Sequence, residues 1–314
     1  MQLHNSTLAS AQRGGSLLFM ELRFPFFTAS LSSVFLGGIM AWSLANKLDL
    51  VNFLIIAVGA ACLHGGSNVI NDYFDYVSGC DQVNKEAIAP FTGGSGLLKS
   101  GALSPRTVLA FSLVLFAIAG GVGAYFTILR GLFIIVLAAF GILSGLLYTS
   151  NLATRGIGEA IVGLNFGPLL TLGTYYALTG TTAIEPVFAG LPLGILVAAI
   201  LWINEIPDSK ADQMVGKNTA VVRMGRRRGA QAYAFVVLSS YVSIIAGIMF
   251  RILPVTSSLA ILTLPLATRA MKVAGKQYDS QELKPANAMT ITVHLVTGIL
   301  LIAAYVLQRI IIPI

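Results

Sequence analysis

Charge is scarce in this sequence. Only 11% of its 314 residues are Asp, Glu, Lys or Arg, against about 25% in soluble domains. So small a polar set cannot coat a globule of this size, which excludes an ordinary soluble protein. A hydrophobic content of 56% excludes a disordered chain, which would be poor in apolar residues. Cysteine is scarcer still: Cys62 and Cys80 provide neither a disulfide framework nor a zinc-ligand spacing. The first 20 residues are polar and lack an apolar core followed by a cleavage site, so no secretory signal peptide is expected. Their Ser-rich, acid-free character gives a faint likeness to a transit peptide. What remains is an all-α, polytopic membrane protein: a polar segment over 1–20, then one transmembrane domain over 21–314.

Apolar runs of about 20 residues predict nine spans, near 24–45, 51–70, 107–129, 131–149, 157–178, 186–204, 231–250, 254–271 and 289–312. Glycines inside them (Gly120, Gly121, Gly123, Gly141, Gly145, Gly163, Gly167) read as helix-packing positions. With the N-terminus in the cytoplasm, Lys47, Arg130, Arg251 and Arg309 fall outside and the other 16 of the 20 Lys and Arg fall inside. That split is a positive-inside signal for an inner cell membrane. It accounts for the net charge of +7 without nucleic acid. The acids are equally lopsided: 11 of 13 lie on the cytoplasmic side, with Asp49 and Glu185 opposite. The positive-inside rule gives acids no reason to gather there.

Many of them fall in two clusters. Asn71-Asp72-Tyr73-Phe74-Asp75 ends the second span, with Asp81 following. Asn204-Glu205-Ile206-Pro207-Asp208 ends the sixth, with Asp212 following. Both read N-[D/E]-x-x-D, 133 positions apart, and each opens a long polar loop. On a helix, positions i and i+4 share a face, so Asn71 projects with Asp75, and Asn204 with Asp208 and Asp212. Carboxylates about 6 Å apart repel by roughly 3 kcal/mol at an effective dielectric near 20. Such acids can cap helices and face water, but two matched copies on one side argue for a shared site. Neither cluster has the His/Cys set that zinc or copper prefers. Mg²⁺, which takes one or two carboxylates plus substrate phosphates, fits better. Lys210, Lys217 and Arg223 follow the second cluster, and metal plus cationic side chains suits a diphosphate. Arg226-Arg227-Arg228 reads instead as a topology anchor, and Pro207 is expected to interrupt helical hydrogen bonding and free carbonyls near the site. Thr92-Gly93-Gly94-Ser95-Gly96 could offer backbone N–H groups to an anion. His64 and His294 read as satisfied core histidines. Tyr148, Asn151 and Arg155 either line a polar mouth or belong to an aromatic belt.

The paired clusters resemble the two aspartate-rich motifs of the UbiA-type membrane prenyltransferases. Similar too are the downstream Gly-Lys-x-Thr and Val-Val-Arg-x-Gly segments, Arg23-Phe24-Pro25-Phe26-Phe27 at the first span, and Gly156-Ile157-Gly158-Glu159 and Phe166-Gly167-Pro168 around the fifth. The resemblance covers roughly 20–310. It implies a nine-helix bundle that transfers a polyprenyl group from polyprenyl diphosphate to an aromatic acceptor. By that likeness Asp72, Asp75, Asp81, Asp208 and Asp212 bind Mg²⁺, and Asp75 and Asp208 are catalytic. Arg23, Asn71, Asn204, Lys217, Arg223, Tyr148 and Arg155 contact substrate. The first-motif spacing, Phe91-Thr92-Gly93-Gly94-Ser95 and Leu103-Ser104-Pro105-Arg106 are similar to the 1,4-dihydroxy-2-naphthoate branch, which makes menaquinone precursors. Ala89-Pro90 departs from the arginine pattern of the 4-hydroxybenzoate branch. The same chemistry on 4-hydroxybenzoate, homogentisate or a glycerol phosphate lipid is the near alternative. A cation-coupled transporter is the distant one, and it would need acids near the membrane midplane.

Overall fold

The computed structural model describes residues 15–311. Residues 1–14 of the polar segment, with Arg13, and position 312 of the last expected span lie outside them. Among the described residues every regular element is helical. A short helix over 15–21 and a 3-10 turn, Phe24–Phe27, lead into α1, Thr28–Ala45. Then come α2 (Leu50–Val77), α3 (Pro105–Arg130), α4 (Phe133–Leu147), α5 (Gly158–Thr179), α6 (Glu185–Met214), α7 (Arg226–Met249), α8 (Leu264–Gln277) and α9 (Lys284–Ile311).

Local chemistry sets several boundaries. The Asp49 carboxylate accepts the N–H groups of Val51 and Asn52, starting α2. Ser104 caps Thr107 N–H with Pro105 in the first turn of α3, where its missing N–H costs nothing. Pro168 cannot donate to the helical ladder, and α5 widens there into a π-helical turn, Asn165–Leu169.

Seven helices are long and apolar enough to cross a membrane. The sequence spans at 131–149 and 254–271 are broken pieces instead. α4 has 15 residues before a π-helical turn, Tyr148–Leu152, and the 3-10 helix Val255–Thr263 precedes α8. The nine expected spans are thus seven continuous helices and two interrupted helical segments. The outer faces carry bare apolar side chains such as Leu54, Ile128, Val136, Phe235, Val242 and Ile299, a surface that suits lipid and not water.

Two features of the sequence reading change. α2 and α6 run past their apolar windows, so both acidic clusters sit within the last turns of long helices. Pro207 has no N–H to give the Ile203 carbonyl, yet the helix does not end there. α6 passes through it to Met214, and Arg226 bonds the Pro207 carbonyl at 2.8 Å and the Ser209 hydroxyl at 2.9 Å. Arg226 also pairs with Glu86 and Asp279, each at 2.6 Å, so it fastens the loops and is no simple surface anchor. These contacts hold the Glu86 carboxyl below its usual range, first through Lys210 and then Arg226; Arg226 does the same for Asp279. Arg227 and Arg228 remain exposed.

The glycines do mediate close packing where α5 meets α6. A Cβ on Gly167 or Gly194 would strike the backbone of the facing helix. Gly123, Gly141, Gly145 and Gly163 are also tightly packed, whereas Gly121 meets open space.

Candidate active site

α2 and α6 bring the two clusters to opposite walls of one cavity. Asn71, Asp75 and Asp81 line it from one side, and Asn204, Asp208 and Asp212 from the other. The i, i+4 spacing therefore does what the sequence requires of it. Lys217 joins them from the loop after α6. Gly216 takes φ +77°, a left-handed conformation open to glycine, and Lys217 N–H bonds back to the Asp212 carbonyl at 2.8 Å. The ammonium then lies 3.0 Å from Asp75 and 3.6 Å from Asp212, one acid from each cluster. Burial alone would lower its pKa. Asp75 and Asp212 outweigh that and hold it well above the ordinary lysine value.

Asp81 follows α2 in a short helical turn, Cys80–Val83. Burial, then Asp75 and Asp72, push its carboxyl up to about 7. The aspartates and asparagines of the two clusters present oxygen atoms to the cavity, the chemistry Mg²⁺ selects. Among the described residues no three His, Cys, Asp or Glu side chains form a ready-made cage. A Mg²⁺ ion held here would take part of its shell from substrate oxygens, which is its usual habit.

Three expected residues stand elsewhere. Asp72 does not line the cavity. It is buried behind the Gly-rich loop, where it accepts Ser95 N–H at 2.6 Å, with the Arg23 guanidinium 3.8 Å away. Arg223 is exposed and bonds the carbonyls of Asn218 and Thr154. Arg155 is exposed in a 3-10 turn, Ala153–Arg155. Arg23 does line the cavity, under a left-handed backbone with φ +54°, and donates to the Phe91 carbonyl at 2.9 Å. Tyr148 lines it too, which favours the polar-mouth reading over an aromatic belt.

Other residues join from distant segments. Asn84 donates to Asp208 at 2.7 Å, Asn287 of α9 donates to Asn204 at 2.7 Å, and the Cys80 thiol donates to Asp212 at 3.3 Å. None belongs to a repeated pattern, so spacing could not reveal them. His64 is satisfied as expected, 3.0 Å from the Ser30 hydroxyl and stacked on Phe27, yet it also lines the cavity. His294 departs from expectation: it is buried, and neither ring nitrogen has a hydrogen-bond partner among the described residues.

Away from the acids the walls are apolar, including Leu63, Phe166, Val197, Ile200 and Ile291. A second cavity adjoins the first through shared walls at Leu63, Gly141, Asn165 and Phe166 and is lined by Ile56, Phe126, Ile134 and Leu137. The result is a charged head beside a long dry pocket.

The chain is similar to known proteins. The profile of the UbiA prenyltransferase family matches residues 30–307. UbiA prenyltransferase domain-containing protein 1 of Xenopus tropicalis is 27% identical over 286 residues, covering 90% of this chain and 79% of its own. The 2-carboxy-1,4-naphthoquinone phytyltransferase of Synechocystis is 25% identical over 287 residues and is covered to 90% on both sides. The structure of a UbiA homolog from Archaeoglobus fulgidus bound to DMAPP and Mg²⁺ superposes with a TM-score of 0.63 at 14% identity, over 94% of this chain and 99% of that one. The chain belongs to the UbiA prenyltransferase family, the transferases of prenyl groups.

Proposed function

We propose that this protein transfers a polyprenyl group from polyprenyl diphosphate to 1,4-dihydroxy-2-naphthoate, with Mg²⁺, in menaquinone biosynthesis. The observation that carries the reading is Lys217 bridging Asp75 and Asp212 at the mouth of an apolar cavity. A diphosphate needs cations, and a prenyl tail needs a dry wall; one cavity offers both. The Archaeoglobus fulgidus homolog was solved with a prenyl diphosphate and Mg²⁺, which supports the donor. The Synechocystis relative acts on a carboxylated naphthoquinone, which supports the acceptor.

In this reading Asp75, Asp81, Asp208 and Asp212 hold Mg²⁺, with Asn71 and Asn204 beside them. Mg²⁺, when bound, neutralises charge on the departing diphosphate. Lys217 and Arg23 add fixed positive charge at the same end. The prenyl C–O bond breaks with both electrons going to diphosphate. The ring carbon of the acceptor supplies the electrons of the new C–C bond, and the ring regains aromaticity by losing H⁺ from that carbon, or CO2 where it carried the carboxylate, with the bonding pair returning to the ring. Leu63, Phe166, Val197 and Ile200 exclude water that would otherwise capture the allylic cation. The 16-to-4 split of cations supports a cytoplasmic position for this end of the bundle, within an inner cell membrane.

The test offers purified protein a prenyl diphosphate with 1,4-dihydroxy-2-naphthoate, 4-hydroxybenzoate or homogentisate. The dihydroxynaphthoate product should dominate. Preferential prenylation of another acceptor would overturn the substrate assignment.

A further inference from the structure

The Gly-rich loop lies over the charged end of the cavity, where Thr92, Gly93 and Gly94 form part of the lining. Gly93 and Gly94 have φ +78° and +67°, and a Cβ on Gly94 would come within 3.1 Å of the Asp72 carboxylate. The segment has some bonds of its own: Thr92 N–H reaches the Ile88 carbonyl at 3.1 Å, and the Thr92 hydroxyl accepts Ile88 N–H at 2.8 Å. Here three side chains grip the outer side. Asp72 accepts Ser95 N–H at 2.6 Å. Glu21, fully buried at the end of the leading helix, accepts the Ser95 hydroxyl at 2.6 Å. Arg23 donates to the Phe91 carbonyl at 2.9 Å.

We propose that Asp72 and Glu21 are positioning residues that clamp Ser95 so that Gly93 and Gly94 close over the diphosphate. This rests on the reading of the cavity as a diphosphate site. It also separates Asp72 from Asp75 chemically. Asp75 faces the cavity and Lys217, whereas Asp72 faces the loop. A clamp needs an acceptor for one N–H, which an amide oxygen supplies as well as a carboxylate does; a Mg²⁺ ligand needs the charge. Ser95 is the hinge of the arrangement, since its N–H reaches Asp72, its hydroxyl reaches Glu21, and its oxygen accepts Leu97 N–H at 3.2 Å.

The test compares Asp72→Asn, Asp72→Ala and Ser95→Ala in the full-length protein. Amide hydrogen exchange over 91–97 is measured without ligands, and the KM values for prenyl diphosphate and acceptor are measured with Mg²⁺. Asp72→Ala and Ser95→Ala should speed exchange in 91–97 and raise the prenyl diphosphate KM about tenfold while sparing the acceptor KM. Asp72→Asn should stay within about threefold of wild type in both readouts. Equal loss in Asp72→Asn and Asp72→Ala, with a higher Mg²⁺ requirement, would make Asp72 an ion ligand and overturn the clamp. Unchanged exchange in both Asp72→Ala and Ser95→Ala would overturn it too. If the wild type transfers no prenyl group, the reading of the site fails on that control, and the exchange arm still decides the clamp. If Asp72→Ala fails to fold, Ser95→Ala and Asp72→Asn carry the decision.

Discussion

Glu21 shows how burial turns one side chain into a pH-dependent part of the structure. Burial first, and the nearby Asp72 charge second, raise its pKa from 4.5 to about 7. The folded protein therefore binds this proton more tightly than the unfolded chain does. The resulting stabilisation is fully present below pH 4.5 and is lost as pH rises through about 7. The thermal stability of the wild type should thus fall as pH rises from 4.5 to about 7, and Glu21→Gln should flatten that dependence. Parallel curves for the two proteins would contradict it. Much of the site at this scale was legible. Matched spacing predicted that Asp75, Asp208 and Asp212 share a site; all three line one cavity, where Lys217 lies against Asp75 and Asp212. Asp72 misled because adjacent helical positions point about 100° apart, so the carboxylate beside a site-facing Asn71 belongs to another face. Asn84 and Asn287 were invisible, since each reaches its partner across 124 and 83 positions of chain.

Among the elements, the tightest constraint is the crossing of α5 and α6. Gly163, Gly167, Gly190 and Gly194 let the two backbones touch, and α6 carries the second acidic cluster beyond that contact. Gly194→Ala should destabilise the fold by roughly 1–3 kcal/mol or more, because the clash is with backbone that cannot step aside. Gly121→Ala, which meets open space, should be nearly silent. Equal melting temperatures for the two variants in detergent would refute this packing account. Helix ends were less legible than helix existence. A hydropathy window stops where apolar residues stop, yet α2 and α6 continue through their polar motifs. Pro207 shows a related limit: local sequence shows that the Ile203 carbonyl loses its helical donor, but not that α6 carries on through the proline to Met214.

The whole molecule is polarised end to end. Lys47 and Arg130 bond the carbonyls that close α5 (Thr179, and Ala177 with Leu178), and Arg309 bonds Asn46 beside them. Three of the four cations assigned outside by charge alone therefore gather at one end, where Lys47 and Arg130 cap the C-terminus of α5, a place that favours positive charge. The two acidic clusters and Lys217 occupy the other end. A cysteine introduced at Arg251 should react with an impermeant thiol reagent from outside intact cells, and one at Lys276 only after permeabilisation. The reverse pattern would invert the topology.

The central claim is that two matched acidic clusters form one Mg²⁺-diphosphate site. Prenyl transfer by the purified protein, followed with Mg²⁺ and with EDTA for the wild type, Asp75→Ala and Asp208→Ala, tests it most directly. The account predicts that EDTA abolishes wild-type turnover and that each substitution alone lowers it by at least about a hundredfold, with the protein still folded. Turnover that survives EDTA, or a near-wild-type rate in either variant, would contradict it.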